Sequence, residues 1–104
     1  MGTRISSQRH IDADVVATKS AAGDYSIVVS PTFSVAGHEY EVVLDGHHSL
    51  AAALADGVEP VAAVATATVH DAVALLDRGE VEAFLAAVHM GDDYYDVATG
   101  KLVF

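Results

Sequence analysis

Apolar positions change period along the chain, and each change marks an element. Tyr25, Ile27 and Val29 alternate with Ser26, Val28 and Ser30, which is the two-residue period of a strand, and Pro31 closes the run. Phe33 and Val35 lead into a turn at Ala36-Gly37-His38-Glu39, after which Tyr40, Val42 and Leu44 resume the alternation, so a hairpin is predicted. Beyond Asp45-Gly46 the pattern switches. Residues 48–55 are rich in alanine and free of β-branched side chains, which predicts a helix, with Gly57 placed for a left-handed stop. Residues 61–68, behind Pro60, return to strand character. His70-Asp71 opens a second predicted helix that buries Val73 and Leu76 and ends at Gly79, with Asp71 as its cap. Residues 80–90 predict a third, with Val81, Phe84, Leu85 and Val88 inward and Glu80 and Glu82 in its first turn. Tyr95 and Val97, then Leu102 and Phe104, flank Ala98-Thr99-Gly100 as a closing hairpin.

The beginning of the chain lacks such a period and is read from residue preference. Residues 1–10 are polar and are expected to form a flexible, frayed segment. Residues 11–19 carry the β-branched Ile11, Val15, Val16 and Thr18, which predict a strand stopped by a turn at Ala22-Gly23-Asp24. No repeat recurs along the chain. The order of strands, helix, strand, helices and strands predicts an α+β fold, a mixed sheet with hairpins and about three helices, forming a single domain over residues 11–104.

Composition narrows the function classes. With 104 residues, 52% of them apolar, the chain can build one core but not a second domain. The absence of cysteine excludes disulfides, thiolate zinc sites and cysteine nucleophiles, and a reducing, cytoplasmic setting is expected. The opening residues hold no apolar leader, and no run approaches a membrane span, so no membrane partner is expected. Fifteen acidic against five basic residues give a net charge of -10, which repels nucleic acid and suits a basic protein surface. Only Arg4 and Arg9 lie close together as a basic pair.

One segment carries more information than the rest. In residues 40–61 a strand ends at Asp45-Gly46-His47-His48-Ser49, an alanine-rich helix follows, and Gly57-Val58-Glu59-Pro60-Val61 returns the chain to a strand. This order of strand, D-G-H-H box, helix and returning strand resembles the ParB/sulfiredoxin-like superfamily. The resemblance implies a site for a phosphate-bearing ligand, such as a nucleotide with Mg²⁺, lined by Gly46, His47, His48 and Ser49. Two departures bear on what is retained. Ser49 stands where nucleotide-binding members carry Arg, and the loss of one charge-assisted bond costs about 1.5–3 kcal/mol. His47 stands at the position of the sulfiredoxin cysteine, so that chemistry is excluded. Partitioning proteins also carry a helix-turn-helix domain, for which this chain has no room, and a DNA-binding or nuclease role rests on the resemblance alone.

Elementary chemistry agrees in outline with the phosphate site. The N–H groups at a helix start are electropositive, imidazoles and a hydroxyl can donate to phosphate oxygens, and Gly46 leaves the main chain bare. Asp45 either caps the helix or acts as a base or ion ligand, and His48 is its expected polar partner in any phosphoryl transfer or phosphoester hydrolysis. The alternative is a non-catalytic acidic module for a basic protein, in which the box survives only as a turn. Elsewhere, Asp12 and Asp14 share one face if their segment is a strand, His38 lies in a turn, His89 lies near a helix end, and residues 92–96 form an acidic, aromatic patch.

Overall fold

The computed structural model describes residues 2–104. Among them are six strands, β1 (Thr3–Ser6), β2 (Ser26–Val29), β3 (Phe33–Val35), β4 (His38–Asp45), β5 (Val61–Val64) and β6 (Tyr95–Asp96). The four helices are α1 (Ala13–Ala22), α2 (His47–Asp56), α3 (Val73–Asp77) and α4 (Val81–Ala87). The fold is α+β, and its mixed sheet has the order β5-β2-β4-β1-β6, with β3 also paired to β4. β1 runs parallel to β4, and β5 runs parallel to β2. The β2–β4, β3–β4 and β1–β6 pairs are antiparallel.

The alternation read along β4 separates two cores. Val42 and Leu44 face Ile5, Phe33, Val73, Phe84, Val88 and Tyr94, under α3 and α4. Val43, one residue out of step, faces Ile27, Val29 and Leu50, under α2. Pro31 cannot donate to a ladder and breaks the strand between β2 and β3. Ser30 bridges the gap, since its N–H donates to Val42 O at 2.8 Å and its hydroxyl accepts Val42 N–H at 3.0 Å.

The start of the chain departs from the sequence reading. Residues 1–10 are not a frayed arm over Thr3–Ser6: β1 lies between β4 and β6, and Ile5 and Ser6 are fully buried. Met1 lies outside the described residues. Polarity misled because the serines are bonded inside the fold. Ser6 Oγ accepts Gln8 N–H at 3.1 Å, and Ser7 Oγ accepts Met90 N–H at 2.8 Å.

Residues 13–19 belong to α1, behind its cap Asp12, and no part of residues 11–19 is a strand. Asp12 caps the helix, accepting Asp14 N–H at 2.9 Å and Val15 N–H at 3.4 Å, and Gly23 ends it at φ 65. No α1 side chain is buried, so its β-branched residues have no sheet to join and no apolar stripe reveals the helix. Near the other end of the chain, α3 is shorter than expected. Ala72, not Asp71, occupies its N-cap position, because residues 66–70 form turns closed by Val69 N–H and His70 N–H on Thr66 O. The closing hairpin is held by β6 and by a bridge between Tyr95 and Leu102. Among the described residues no helix is long and apolar enough to cross a membrane.

Candidate functional site

β4 ends with its last side chain, Asp45, exposed, and Gly46 turns the chain at φ 83 into α2. Glycine is required there on two counts. The backbone is left-handed, and a Cβ would stand 2.5 Å from Ser26 O and 2.9 Å from Ile27 Cα. The bare α-carbon therefore makes room for β2, and Gly46 contributes to a site through the turn it allows.

A helix leaves its first N–H groups without internal partners. In α1 the Asp12 carboxylate serves them. In α2 no side chain does. Asp45 Oδ1 accepts the Gly46 N–H at 2.8 Å, and the first bond of the helix itself runs from Leu50 N–H to Gly46 O at 2.8 Å. The N–H groups of His47, His48 and Ser49 fall between those two bonds. The three residues line a cavity of about 320 Å³ together with Gln8, Lys19, Asp45 and Gly46. The fold thus gathers all five candidates of the box on one wall and adds Gln8 and Lys19.

The side chains are less free than the sequence suggests. His48 Nε2 accepts the Asp12 N–H at 3.2 Å, which puts the proton of its neutral ring on Nδ1 and links the starts of α1 and α2. Ser49 is 2% exposed, and its hydroxyl is the smallest of the influences that lower the Asp24 pKa. Lys19 Nζ lies 2.9 Å from Asp24 Oδ2. That ammonium, followed by the Ser26 N–H, holds the Asp24 carboxyl below its ordinary range.

His47 is 8% exposed, and its Nε2 is buried without a hydrogen-bond partner. Burial pushes its pKa down, the Asp45 carboxylate and the Val43 carbonyl oppose that shift, and His48 adds to it. A sign follows for stability. The unfolded chain binds the proton more readily than the folded one, so the contribution of neutral His47 is complete above the ordinary imidazole pKa of about 6.5 and is lost as pH falls toward the depressed value. Urea midpoints are therefore expected to fall on acidification below that point, and to fall less in His47→Gln.

Neighbouring features help to assign the site. A second cavity of about 180 Å³ shares Gln8 and His47 and continues along Ile11, Leu50, Leu54 and Tyr95, giving the polar end an apolar neighbour. A broader depression of about 700 Å³ beside α3 includes Arg78, but that guanidinium is already paired with Glu80 at 2.6 Å. Among the described residues no group of three or more His, Asp and Glu side chains could hold a metal. Asp45 is the one carboxylate on the α2 cavity wall, so a Mg²⁺ there would take most of its ligands from phosphate and water.

The remaining candidates have local partners. Asp12 caps α1, His38 Nε2 lies 3.1 Å from Thr3 Oγ1, and His89 packs edge-on to Tyr94. In the acidic patch, Asp92 accepts the Arg9 N–H at 3.0 Å and Asp96 accepts the Ala98 N–H at 2.8 Å. Both arginines of the basic pair are engaged. Arg4 lies 3.8 Å from Glu41, while Arg9 stacks 4.0 Å above the Tyr95 ring and donates to Gly100 O.

Lys19 was missed because its segment read as a strand. The available signal was capping: Asp12 and Gly23 bracket ten residues, just as Gly46 and Gly57 do. Comparison of the chain with protein-family models, curated proteins and solved structures finds no match.

Proposed function

We propose that the uncapped start of α2 binds the phosphate group of a small ligand, with a nucleotide carrying Mg²⁺ as the first class to test. The observation that carries this reading is that the start of α2 has no side-chain cap while His47, His48 and Ser49 line a cavity that Lys19 also lines. The resemblance of the box to the ParB/sulfiredoxin-like superfamily suggests the same use. Lys19 reaches the cavity from another helix and supplies a positive charge where Ser49 replaces the arginine of the nucleotide-binding members. The buried Nε2 of His47 supplies a further polar group without a partner. A cytoplasmic setting fits a cysteine-free chain.

His48 already uses its ring lone pair on Asp12, which leaves the buried Nε2 of His47 and the Asp45 carboxylate, one of whose oxygens is held by Gly46, as the groups on the wall that could take a proton. Calorimetric titration with orthophosphate, and with ATP in the presence and absence of Mg²⁺, tests the reading. Dissociation constants in the millimolar range are expected for orthophosphate, since a helix start and one shared lysine contribute only a few kcal/mol. Absence of heat with every one of these ligands would reject the site.

The Lys19–Asp24 pair offers a two-sided check. Lys19→Met should weaken phosphate binding by about threefold to tenfold, and Asp24→Asn, which releases the ammonium, should tighten it by a similar factor. Equal affinities in both variants and the parent would remove Lys19 from the site.

A second reading, an acidic module for a basic protein partner, draws on the net charge of -10 and on the uncovered edge of the sheet at β5.

A further inference from the structure

β5 is the end strand of the sheet, and all four of its residues, Val61, Ala62, Ala63 and Val64, are exposed. Its ladder to β2 fixes which main-chain groups are free. Val61 N–H donates to Tyr25 O and Ala65 N–H donates to Val29 O, while the register pairs Ser26 with Val61 and Val29 with Val64 without a shift. In a parallel ladder alternate residues point to the same neighbour, so residues 61, 63 and 65 point to β2. Ala62 and Val64 turn both N–H and C=O outward.

Proteins ordinarily guard such an edge with lysine, proline, a bulge or a covering element. None of these stands on β5. Val61 is 67% exposed and Val64 is 62% exposed, with Leu54 and Val58 also uncovered close by in sequence. The small side chains leave a flat, uncharged strip suited to β-branched neighbours across a ladder.

Charge distinguishes the occupants. From His47 to Asp77 the chain has no lysine or arginine, while Asp56 and Glu59 precede the strand and Asp71 and Asp77 follow it. A second copy would set the same acids, and a net charge of -10, against themselves. An extended segment flanked by lysine or arginine meets opposite charge in Glu59, two residues before the strand, and in the net charge of the chain.

We propose that β5 takes up an extended, basic-flanked peptide segment of a partner protein as an additional strand, bonded through the outward N–H and C=O groups of Ala62 and Val64. This inference rests on the second reading above, the acidic module, and gives that module its binding surface. It is independent of the phosphate site.

The test uses the whole chain with a synthetic peptide of alternating valine and threonine flanked by paired lysines, and with its glutamate-flanked counterpart. The lysine peptide should slow amide exchange at Ala62 and Val64 by about tenfold or more, and leave Ala63, already bonded to β2, unchanged. Ala62→Pro, tolerated where an edge N–H points outward, should weaken binding by about tenfold with the fold retained. Exchange in the parent protein keeps the test valid should that variant not fold. Equal binding of the glutamate peptide overturns the charge argument and with it the proposal. Binding of the lysine peptide with Ala62 and Val64 unaffected overturns the edge as the site and leaves the acidic module standing. No binding of either peptide at millimolar concentration overturns both. Slowed exchange at Ala62 and Val64 that grows with protein concentration, without peptide, overturns the proposal in favour of a second copy.

Discussion

Gly46→Ala is expected to destabilise the domain by about 2–5 kcal/mol, lowering Tm by roughly 10 °C or more. Two effects add. A left-handed backbone costs an L-residue about 1–2 kcal/mol, and the new methyl meets Ser26 O at 2.5 Å and Ile27 Cα at 2.9 Å, both in the backbone of β2. Backbone cannot rotate aside as a flexible side chain can. Gly57→Ala supplies the control, because Gly57 has a similar φ of 66 with nothing within 4 Å of the added carbon. That variant should lose only about 1–2 kcal/mol. Thermal unfolding of the pair isolates the packing part, and equal losses would mean that β2 does not press against the turn.

Ile5→Ala should cost about 2–5 kcal/mol, the range for a fully buried Ile truncated in a core. Ile5 is 0% exposed, pairs across the ladder with Val42, and joins the cluster around Phe33 and Phe84. Urea unfolding measures the loss directly. A change within experimental error would contradict the placement of β1 inside the sheet and restore the frayed arm that the polar composition of residues 1–10 suggests.

The contrast between those two sites shows what the sequence can reveal. Around Gly46 the reading was accurate because the signals are local. Alternation over Tyr40, Val42 and Leu44 sets a strand, alanines set a helix, and a glycine at each end marks its turns. Around Ile5 the decisive facts are long-range. Ser6 and Ser7 look like surface residues until Gln8 and Met90 come back to bond them, and Ile5 has no apolar neighbour in sequence to reveal the strand. α1 failed for a related reason: a helix that buries none of its side chains carries no stripe, and its β-branched residues then outweigh a single capping aspartate.

Within the candidate site, the box residues were legible as a group because they are consecutive. Their individual roles were not. That His48 accepts from Asp12 and that Lys19 borders the cavity both depend on α1 packing beside α2. Residue preference had assigned that neighbour to the sheet.

No side chain caps the first amides of α2, and an anion bound at the proposed site would contact them. ¹⁵N-resolved NMR titration with inorganic phosphate reads those amides one by one. The result expected is saturable, downfield movement of the His47, His48 and Ser49 N–H signals, smaller in Lys19→Met, with the Asp14 and Val15 signals of the capped helix unmoved. Static His47, His48 and Ser49 signals up to the highest soluble phosphate concentration, or equal movement at both helix starts, would contradict it.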